Sequence, residues 1–411
     1  MHSPSPQGTL GFLLHGYDYI GRECNRRDAD AFRTRLLGVP VTCMRGAEAG
    51  RVFYDQNHFE RAGVAPRRAR RTLFGEGGVQ GLDDHAHHHR KSMFLSLMST
   101  AAVADLAERT RIGWNEATTR WERSEAPVVL YDEAGQLLCR AVFDWAGVPI
   151  DDDEVPHRTD QLHHLIDSAA RIGPSHWRGR RARTQIDRWA EGLIGAVRNG
   201  TLHSSPERAL HTIATHRDSD GRLLDRHVAA VELINILRPT VAIDRFIVFA
   251  AVALHSHPAW RERLRTDDDT VEWFVQEVRR TFSFFPFTAA RVRQPFDWRG
   301  VHFPRGRLVL YDLYGTNHHD ELWPKPDTFE PERFRHWDED PFSLVPQGGG
   351  DHAHGHRCPG EWITIETMKV AVEILTRTID YTVPPQDLRI SHRNLPTLPN
   401  SRFVLNSVRR R

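Results

Sequence analysis

A cysteine framed by glycines, near the C-terminal end of the chain, has the clearest chemical character in the sequence. Three consecutive glycines, 348–350, and then Gly355 lead to Cys358, and Gly360 follows just before a helical pattern. Such glycines let the backbone come close to something large and flat. Amide donors and the positive dipole at the start of a helix favour a thiolate, so Cys358 is predicted to be a metal ligand or a nucleophile. The alternative, a buried and unreactive thiol, is predicted for the cysteines without such glycines: Cys24, Cys43 and Cys139.

A second candidate centre is an arginine followed by a proline within residues 226–255, the longest apolar helical pattern of the chain. Arg238 shares its helix face with apolar side chains, and a guanidinium in such a place needs an anion. Pro239 has no N–H to donate, so the helix is predicted to kink there and to leave a backbone acceptor free. An internal carboxylate, Glu232 or Asp244, is one candidate for the anion, and a bound ligand is the other.

Two histidine-rich runs, 83–91 and 351–356, have the composition of a metal site, since closely spaced histidines bind zinc or nickel. A histidine-rich metal-binding protein is therefore one alternative for the function of the chain. A single metal site needs only three or four ligands with fixed supporting contacts, whereas these runs face several directions on any helix. Most of their histidines are predicted to be solvated surface residues: His85, His88, His89, His352 and His354.

Amphipathic helical patterns dominate the elements that must position these residues. Apolar residues recur at three- and four-residue spacings over 29–37, 92–108, 114–121, 158–169, 184–197, 226–255, 268–282 and 361–378. Short strand patterns occur at 39–44, 128–131, 308–311 and 403–405. The segment 282–360 is mostly turns and extended pieces, and so long a loop-rich stretch is usually functional. The fold class is predicted to be mainly α with small β-sheets, in a single domain over residues 1–411, because no linker or repeat divides the chain.

Composition and charge exclude several classes of protein. The 55 basic and 54 acidic residues give a net charge of +1, which argues against a nucleic-acid partner bound through a general basic field. The 39% hydrophobic and 27% charged residues are typical of a globular chain, and four cysteines fit a reducing setting. No secretory signal is recognised. The longest apolar run, 246–254, is shorter than the roughly 20 residues of a membrane span, so a cytoplasmic location is predicted.

The cysteine loop resembles the heme-binding loop of the cytochrome P-450 family, in which the cysteine thiolate is the axial ligand of the heme iron. Glu277 and Arg280 have the family's E-x-x-R spacing, which places both on one helix face, and Arg333 matches the arginine that completes the family's buried network behind the heme. The resemblance implies the P-450 fold, with heme b (iron protoporphyrin IX) buried between a central long helix and the loop of Cys358. One departure is Asp351, where most members have phenylalanine.

The pair Arg238–Pro239 stands where oxygen-activating members carry an acid–alcohol pair, and it resembles the hydrogen-peroxide-dependent fatty-acid peroxygenases of the family. Similarity to this subgroup runs over 9–408 and includes Val52-Phe-Tyr-Asp and Asp312-Leu-Tyr-Gly-Thr-Asn-His. The resemblance implies that Arg238 binds the carboxylate of a long-chain fatty acid, and that this carboxylate assists O–O cleavage. It also implies hydroxylation near the carboxylate, at the alpha carbon by preference or at the beta carbon, with hydrogen peroxide as co-substrate and no obligatory redox partner.

The same resemblance assigns further residues to the site. It assigns the heme propionates to His87, Lys91 and His356. Gln80 matches the position over the heme where hydroxylating members have glutamine and alkene-forming decarboxylases have histidine. The catalytic residues are therefore predicted to be Arg238, Pro239 and Gln80. Substrate contacts are predicted for Arg238 and Gln80, and for three aromatic residues that suit an acyl channel or, alternatively, core packing: Phe74, Phe284 and Phe287.

Two enzyme alternatives stand beside the peroxygenase. One is a decarboxylase that forms terminal alkenes, and the other is a conventional monooxygenase that uses NAD(P)H and redox partners but lacks the expected acid–alcohol pair here. A visible absorption spectrum separates all three heme enzymes from a histidine-rich metal-binding protein. Turnover with peroxide alone separates the peroxygenase from the monooxygenase.

Overall fold

The structure, a computed structural model, describes residues 7–124, 126–169, 171 and 173–411. Within these ranges the α-helices are α1 (Gln7–His15), α2 (Tyr19–Arg27), α3 (Ala47–Phe53), α4 (Arg67–Ala69), α5 (Asp84–Ser96), α6 (Thr100–Glu122), α7 (Leu130–Ala146), α8 (Val155–Asp167), α9 (Pro174–Arg198), α10 (Ala209–Thr215), α11 (Arg226–Val241), α12 (Asp244–Ser256), α13 (Pro258–Arg263), α14 (Asp269–Thr281), α15 (Leu313–Asn317) and α16 (Glu361–Glu373). The β-strands are β1 (Ala31–Leu36), β2 (Val39–Met44), β3 (Phe59–Glu60), β4 (Val128–Val129), β5 (Phe287–Val292), β6 (Phe296–Trp298), β7 (Val301–Phe303), β8 (Leu308–Asp312), β9 (Ile379–Thr382) and β10 (Val404–Arg410). The prediction of a mainly α fold with small sheets is confirmed.

The largest sheet has the strand order β1-β2-β8-β5-β3. Strand β2 runs parallel to β8, with Val41 opposite Leu308, and the other neighbours are antiparallel. Two smaller sheets have the orders β4-β10-β9 and β6-β7. The strands therefore form small sheets beside the helices. The loop-rich segment 282–360 contains four of these strands, β5 to β8.

The helical prediction for residues 29–37 is wrong, because this segment contains strand β1. The strand pairs along its whole length with β2. Leu37 and Gly38 join the two strands, and both have positive φ, at 49° and 79°. Two such residues form the tight turn that matches the twist of a β-hairpin. The turn gives β1 a hydrogen-bonded partner at once, and this pairing overrides the helical spacing of its apolar residues.

The apolar pattern over 226–255 forms two helices, α11 and α12, rather than one. Pro239 lies in the last turn of α11, and the helix ends two residues later. The N–H of Ala242 still donates to the carbonyl of Arg238 at 3.1 Å, but Ile243 donates to Thr240 at 3.2 Å, in a tighter turn. The α-helical hydrogen-bond pattern is therefore kept through Pro239 and ends at Ile243, whereas a kink at the proline was predicted.

Two other boundaries differ from the sequence patterns. The pattern over 92–108 spans the end of α5 and the start of α6, since the hydroxyl of Ser99 caps α6 by accepting from the N–H of Ala102 at 3.2 Å. The strand pattern at 128–131 covers only β4, and α7 begins directly after it at Leu130. The strand pairing of β4 with β10 is two residues long, so helix α7 takes over the remaining apolar residues.

The main apolar core lies where α6, α7, α11, α12 and α16 pack together. Its fully buried side chains include Trp114, Leu138, Leu237, Ile247 and Met368. Helix α11 packs against α7, α8, α9 and α10, and α16, which starts directly after the cysteine loop, packs against α6, α12 and α14. Within the described ranges, none of the helices combines the length and the apolar character that crossing a membrane requires.

Candidate active site

The cysteine loop holds Cys358 just before helix α16. The N–H of Cys358 donates to the carbonyl of Gln347 at 3.1 Å, and the side-chain amide of Gln347 approaches the Cys358 Sγ at 3.9 Å. Burial raises the pKa of the Cys358 thiol, while the N–H of Gly360 and the positive charges of Lys91 and Arg279 act against the rise. A thiolate at this partly buried place therefore needs one further cation, which a bound metal ion would supply.

The three cysteines without flanking glycines are buried, as predicted. Cys24, Cys43 and Cys139 are all fully buried. Burial raises the pKa of Cys24 and of Cys139 to about 12. These thiols are therefore neutral at physiological pH and act as small apolar side chains.

Three basic side chains meet on one side of the cysteine loop. The ammonium of Lys91, on α5, donates to the carbonyls of Gly355 and Arg357, the latter at 3.0 Å. The rings of His87 and His356 lie 3.9 Å apart. Burial lowers the pKa of Lys91 to about 8, of His87 to about 3 and of His356 to about 4. A nearby anion would stabilise the charged forms of these basic groups, so the cluster is suited to bind one.

These residues fit a heme. The glycines let the loop approach a flat ring, Cys358 offers sulfur to iron, and His87, Lys91 and His356 offer donors to two propionates. On helix α11, Pro239 is exposed although every other residue from Ala229 to Val241 is buried.

A paired network of buried charges lies behind the cysteine loop. Both ends of the Arg280 guanidinium donate to the Glu277 carboxylate, at 2.7 and 2.8 Å, and Arg333 lies 3.2 Å from the same carboxylate. The backbone N–H of Glu330 donates to it at 2.8 Å. Arg280 also donates to the carbonyl of Asn317 at 2.8 Å. The structure thus brings together the three residues that the sequence assigned to one network.

A neighbouring contact was missed at the level of sequence. Arg279, beside Arg280, donates to Glu361 at 2.5 Å and to the side-chain oxygen of Gln347 at 3.0 Å. Arg357 donates to the same Glu361 at 2.6 Å. These bonds tie the start of α16 and the amide of Gln347 in place around the thiol. The only signal in the sequence is that an additional arginine, Arg279, directly precedes Arg280 in the segment Glu277-Val-Arg-Arg280.

Arg238 is buried in the last turn of α11, and its guanidinium donates to the carbonyl of Leu73. None of the ion pairs among the described residues includes it. Burial lowers the pKa of Arg238 to about 9, and the charge of Arg183 acts in the same direction. Glu232 and Cys358 act on this pKa in the opposite direction.

Both internal carboxylates that were candidates for pairing with Arg238 bond elsewhere. Glu232 accepts from Arg90 and from the Asn235 amide, each at 2.8 Å. Asp244 lies 2.5 Å from the ring nitrogen of His163 and also bonds to Arg245. The remaining alternative from the sequence, a bound anion, is the one that this geometry leaves for Arg238.

The other predicted pocket residues divide into two groups. Gln80 lies in the short turn Val79–Gly81, is exposed, and accepts from the Asn235 amide at 3.3 Å. Phe74 and Phe284 pack on one apolar cluster with Leu73, Ile166 and Ala242, at the end of α11. Phe287 lies apart from this cluster, because β5 directs it against Phe12 at a ring distance of 5.7 Å.

The histidine-rich runs lie along the outer side of α5 and in the cysteine loop. Among the described residues, no group of three or more His, Cys, Asp or Glu side chains is arranged to hold a metal ion. His85 and His354 are exposed, whereas His88, His89 and His352 are half-buried. Asp351, which replaces the family's usual phenylalanine, is exposed and accepts from the N–H of Ala353 at 2.7 Å.

Comparison with known proteins identifies the family. The family profile Cytochrome P450 matches residues 261–406. The chain is 24% identical to cytochrome P450 26B1 from Mus musculus over 418 residues. These aligned residues cover 90% of this chain and 80% of the relative. It is 47% identical to the solved structure of cytochrome P450SP alpha (CYP152B1) in complex with (R)-ibuprophen, with a TM-score of 0.96 over 98% of this chain and 99% of that one.

Two further solved structures are similar over nearly the whole chain. Cytochrome P450EX alpha (CYP152N1) with myristic acid is 44% identical, with a TM-score of 0.94, over 98% of this chain and 97% of that one. A variant of cytochrome P450 OleT in complex with arachidonic acid is 34% identical, with a TM-score of 0.96, over the same shares. The chain belongs to the cytochrome P450 family, and its resemblance to the fatty-acid peroxygenase subgroup is confirmed. The P450 fold is confirmed as well, and the family implies a heme-iron cofactor.

Proposed function

We propose that this chain is a heme-thiolate peroxygenase that uses hydrogen peroxide to hydroxylate long-chain free fatty acids near the carboxylate, at the alpha carbon by preference. The observation that carries the proposal is Arg238, a buried guanidinium on the central helix that is in no ion pair among the described residues. The fatty acids in two of the similar structures support the same class of substrate.

The fatty-acid carboxylate binds to Arg238 through two parallel charge-assisted hydrogen bonds, which hold the head group in one orientation. A lone carboxylate is costly to bury, and so is a lone guanidinium, so each offsets the burial cost of the other. The acyl chain packs on the cluster that contains Phe74 and Phe284. With the head group bound beside Pro239, the alpha and beta carbons would be the ones that lie next to this fixed end, and a heme bound at Cys358 would supply the oxygen transfer to them.

Cys358 holds the heme iron, with His87, Lys91 and His356 at the propionates, and the heme supplies oxygen transfer from peroxide to carbon. The overall reaction, R–H + H₂O₂ → R–OH + H₂O, is balanced without an external electron donor, so no obligatory redox partner is required. Helix α11 offers no free acid of its own: Glu232 is bonded to Arg90, and the Thr240 hydroxyl donates to the carbonyl of Ile236 at 2.9 Å. The carboxylate beside Arg238 therefore moves the peroxide proton.

The test is the rate at saturating fatty acid with peroxide as the only oxidant. Arg238→Ala is expected to lower kcat by about 10²–10⁴-fold, the usual contribution of a proton-transfer group, as well as to weaken affinity. Arg238→Lys restores only part of the rate, because an ammonium lacks the planar fork. Arg226→Ala, an exposed arginine at the other end of α11, is the matched control. Full activity in Arg238→Ala would contradict the proposal.

A decoy experiment separates substrate-assisted catalysis from simple binding. A short carboxylic acid added to the wild type is expected to activate peroxide towards a substrate without a carboxyl group. The same acid should do so poorly in Arg238→Ala, since nothing holds it in place. If the wild type oxidises the non-acid substrate equally fast without a decoy, the carboxylate has no part in the chemistry. Turnover only with NAD(P)H and redox partners would instead support a conventional monooxygenase.

The cofactor assignment has its own spectroscopic test. The reduced protein with carbon monoxide should show the red-shifted Soret band of a thiolate-bound heme. Cys358→Ser should abolish this band, because no other thiol replaces the ligand. Cys139→Ser, at a fully buried thiol in α7, should keep it. A retained band in Cys358→Ser would end the assignment.

A further inference from the structure

A second arginine lies beside Arg238. Arg183, on α9, is buried, with 4% of its side chain exposed, and its Nη1 donates to the carbonyl of Leu73 at 3.4 Å. This is the same carbonyl that accepts from Arg238. Two guanidinium groups from different helices therefore converge on one neutral oxygen atom.

The glycine at position 75 allows the Arg183 guanidinium to lie this close to the Leu73 carbonyl. A Cβ atom at Gly75 would lie 2.3 Å from the Arg183 Nη2 and 2.9 Å from its Cζ. Gly75 also has φ +82°, a conformation that favours glycine. A larger residue would push the guanidinium away from the turn that follows Phe74.

The charges around the Leu73 carbonyl do not cancel. Arg183 is paired with Asp187, at 2.8 Å, through its Nε, while its Nη2 is buried and has no hydrogen-bond partner among the described residues. Arg238 is in no ion pair among the described residues, and the nearby Glu232 is paired with Arg90. The group of Arg183, Arg238 and Asp187 thus carries one net positive charge, while the neighbouring group of Arg90 with Glu232 and Asp218 carries one net negative charge. A single bound carboxylate brings the first group to neutrality.

We propose that Arg183 and Arg238 together form the carboxylate site, with the head group of the fatty acid held between the two guanidinium groups. This inference rests on the proposed function and adds a second binding residue to it. Arg183 contributes through its unpartnered Nη2, and Asp187 moderates its charge. The consequence is selectivity: a second cation favours a free acid over an alcohol of the same length, whose hydroxyl brings no charge.

The test measures binding rather than turnover, by calorimetry on the heme-loaded enzyme, with decanoic acid and 1-decanol as matched probes. Arg183→Gln is expected to weaken decanoate binding by about 10–100-fold, the usual contribution of a hydrogen bond to a charged group. Binding of 1-decanol should stay within about twofold of the wild type, since the alcohol carries no charge. Arg188→Gln removes an exposed arginine from the same helix and should leave both affinities unchanged.

A second variant has the opposite expected sign. Asp187→Asn removes the negative charge from Arg183 but keeps a side chain of the same shape. Decanoate should then bind several-fold more tightly, whereas a purely structural role for the Arg183–Asp187 pair would weaken binding of both probes. Arg183→Lys should keep part of the affinity for decanoate because it keeps the charge.

The outcomes separate this inference from the proposed function. If the Arg238→Gln variant no longer binds decanoate but the Arg183→Gln variant binds it with wild-type affinity, Arg183 has no part in the site and the proposed function stands. If neither variant changes decanoate binding, both fail. Equal losses for decanoate and 1-decanol in Arg183→Gln would show a packing role and would overturn the inference.

Discussion

Two buried groups of arginines in this protein differ in how their charge is balanced. Behind the cysteine loop, Arg280 and Arg333 converge on Glu277, whose carboxylate also accepts a backbone N–H. At the end of α11, Arg183 and Arg238 converge on a backbone carbonyl, and within the described part of the chain only Arg183 has a carboxylate partner. Both groups are buried, so exposure to solvent does not explain the difference.

The two groups illustrate the difference between structural and functional charges in a protein core. A buried ion pair with all its hydrogen bonds made is self-sufficient, and it connects the elements that supply its members. A buried charge with an incomplete set of partners is a cost to the folded protein, unless a ligand completes the set. The first pattern connects the elements behind the cysteine loop, and the second matches the anion site proposed for Arg238.

The largest expected effect on stability comes from breaking the complete network. Glu277→Gln leaves two buried guanidinium groups without their shared carboxylate, so the free energy of unfolding should fall by about 3–5 kcal/mol. The measurement is urea unfolding of the variant against the wild type. Glu332→Gln is the control, since it removes the carboxylate of a half-exposed pair with Arg263, at 2.8 Å, and should cost less than about 1 kcal/mol. Equal losses in both variants would contradict the distinction.

The opposite result is expected at the incomplete site. Arg238→Met removes a buried charge that lacks a partner, so without fatty acid the free energy of unfolding should stay the same or rise by about 1–3 kcal/mol. With fatty acid at 100 times its Kd, the wild type should gain about 2.7 kcal/mol and the variant much less. Thermal unfolding with and without decanoate measures both effects. A large loss of stability in ligand-free Arg238→Met would mean that the arginine is structural.

The pH dependence of the free energy of unfolding tests the charge of Arg280, a member of the complete network, through its effect on the pKa of a neighbouring histidine. Burial and the charge of Arg280 lower the pKa of His318 from 6.5 to about 3. Below pH 6.5 the unfolded chain therefore takes up a proton that the folded protein refuses, and stability falls as the pH drops towards 3. The expected slope is up to about 1.4 kcal/mol per pH unit for this one proton. His318→Gln should flatten that part of the profile, while the exposed His336→Gln should leave it unchanged.

The smallest expected effect concerns the product and not stability. Gln80 bonds to Asn235, one turn before Arg238, so a change there alters the surroundings of the head group without changing its charge. Gln80→His should raise the fraction of terminal alkene among the products of fatty-acid oxidation. Gas chromatography of the products measures the ratio, with Gln185→His on the exposed side of α9 as the control. An unchanged ratio with normal heme content would show that Gln80 is only structural.

Features that depend on local spacing could be predicted from the amino-acid sequence alone. The glycines around Cys358, the spacing of Glu277 and Arg280, and the Arg238–Pro239 pair are all readable because their members lie within one turn or one loop. The same holds for strand β2, whose predicted bounds match the structure. Local spacing failed at 29–37, where a two-residue turn made a strand out of an apparent helix.

Which distant side chains share a site could not be predicted in this way, because it depends on how the elements pack. Whether Arg238 had an internal partner depended on Arg90 and His163 occupying Glu232 and Asp244. The approach of Arg183 to the same carbonyl depends on how α9 packs against the turn at Leu73, and Phe287 is directed elsewhere by its strand. Sequence spacing sets which residues share a face of one helix or strand. Packing between elements sets which charges meet, and therefore which of them remain for a ligand.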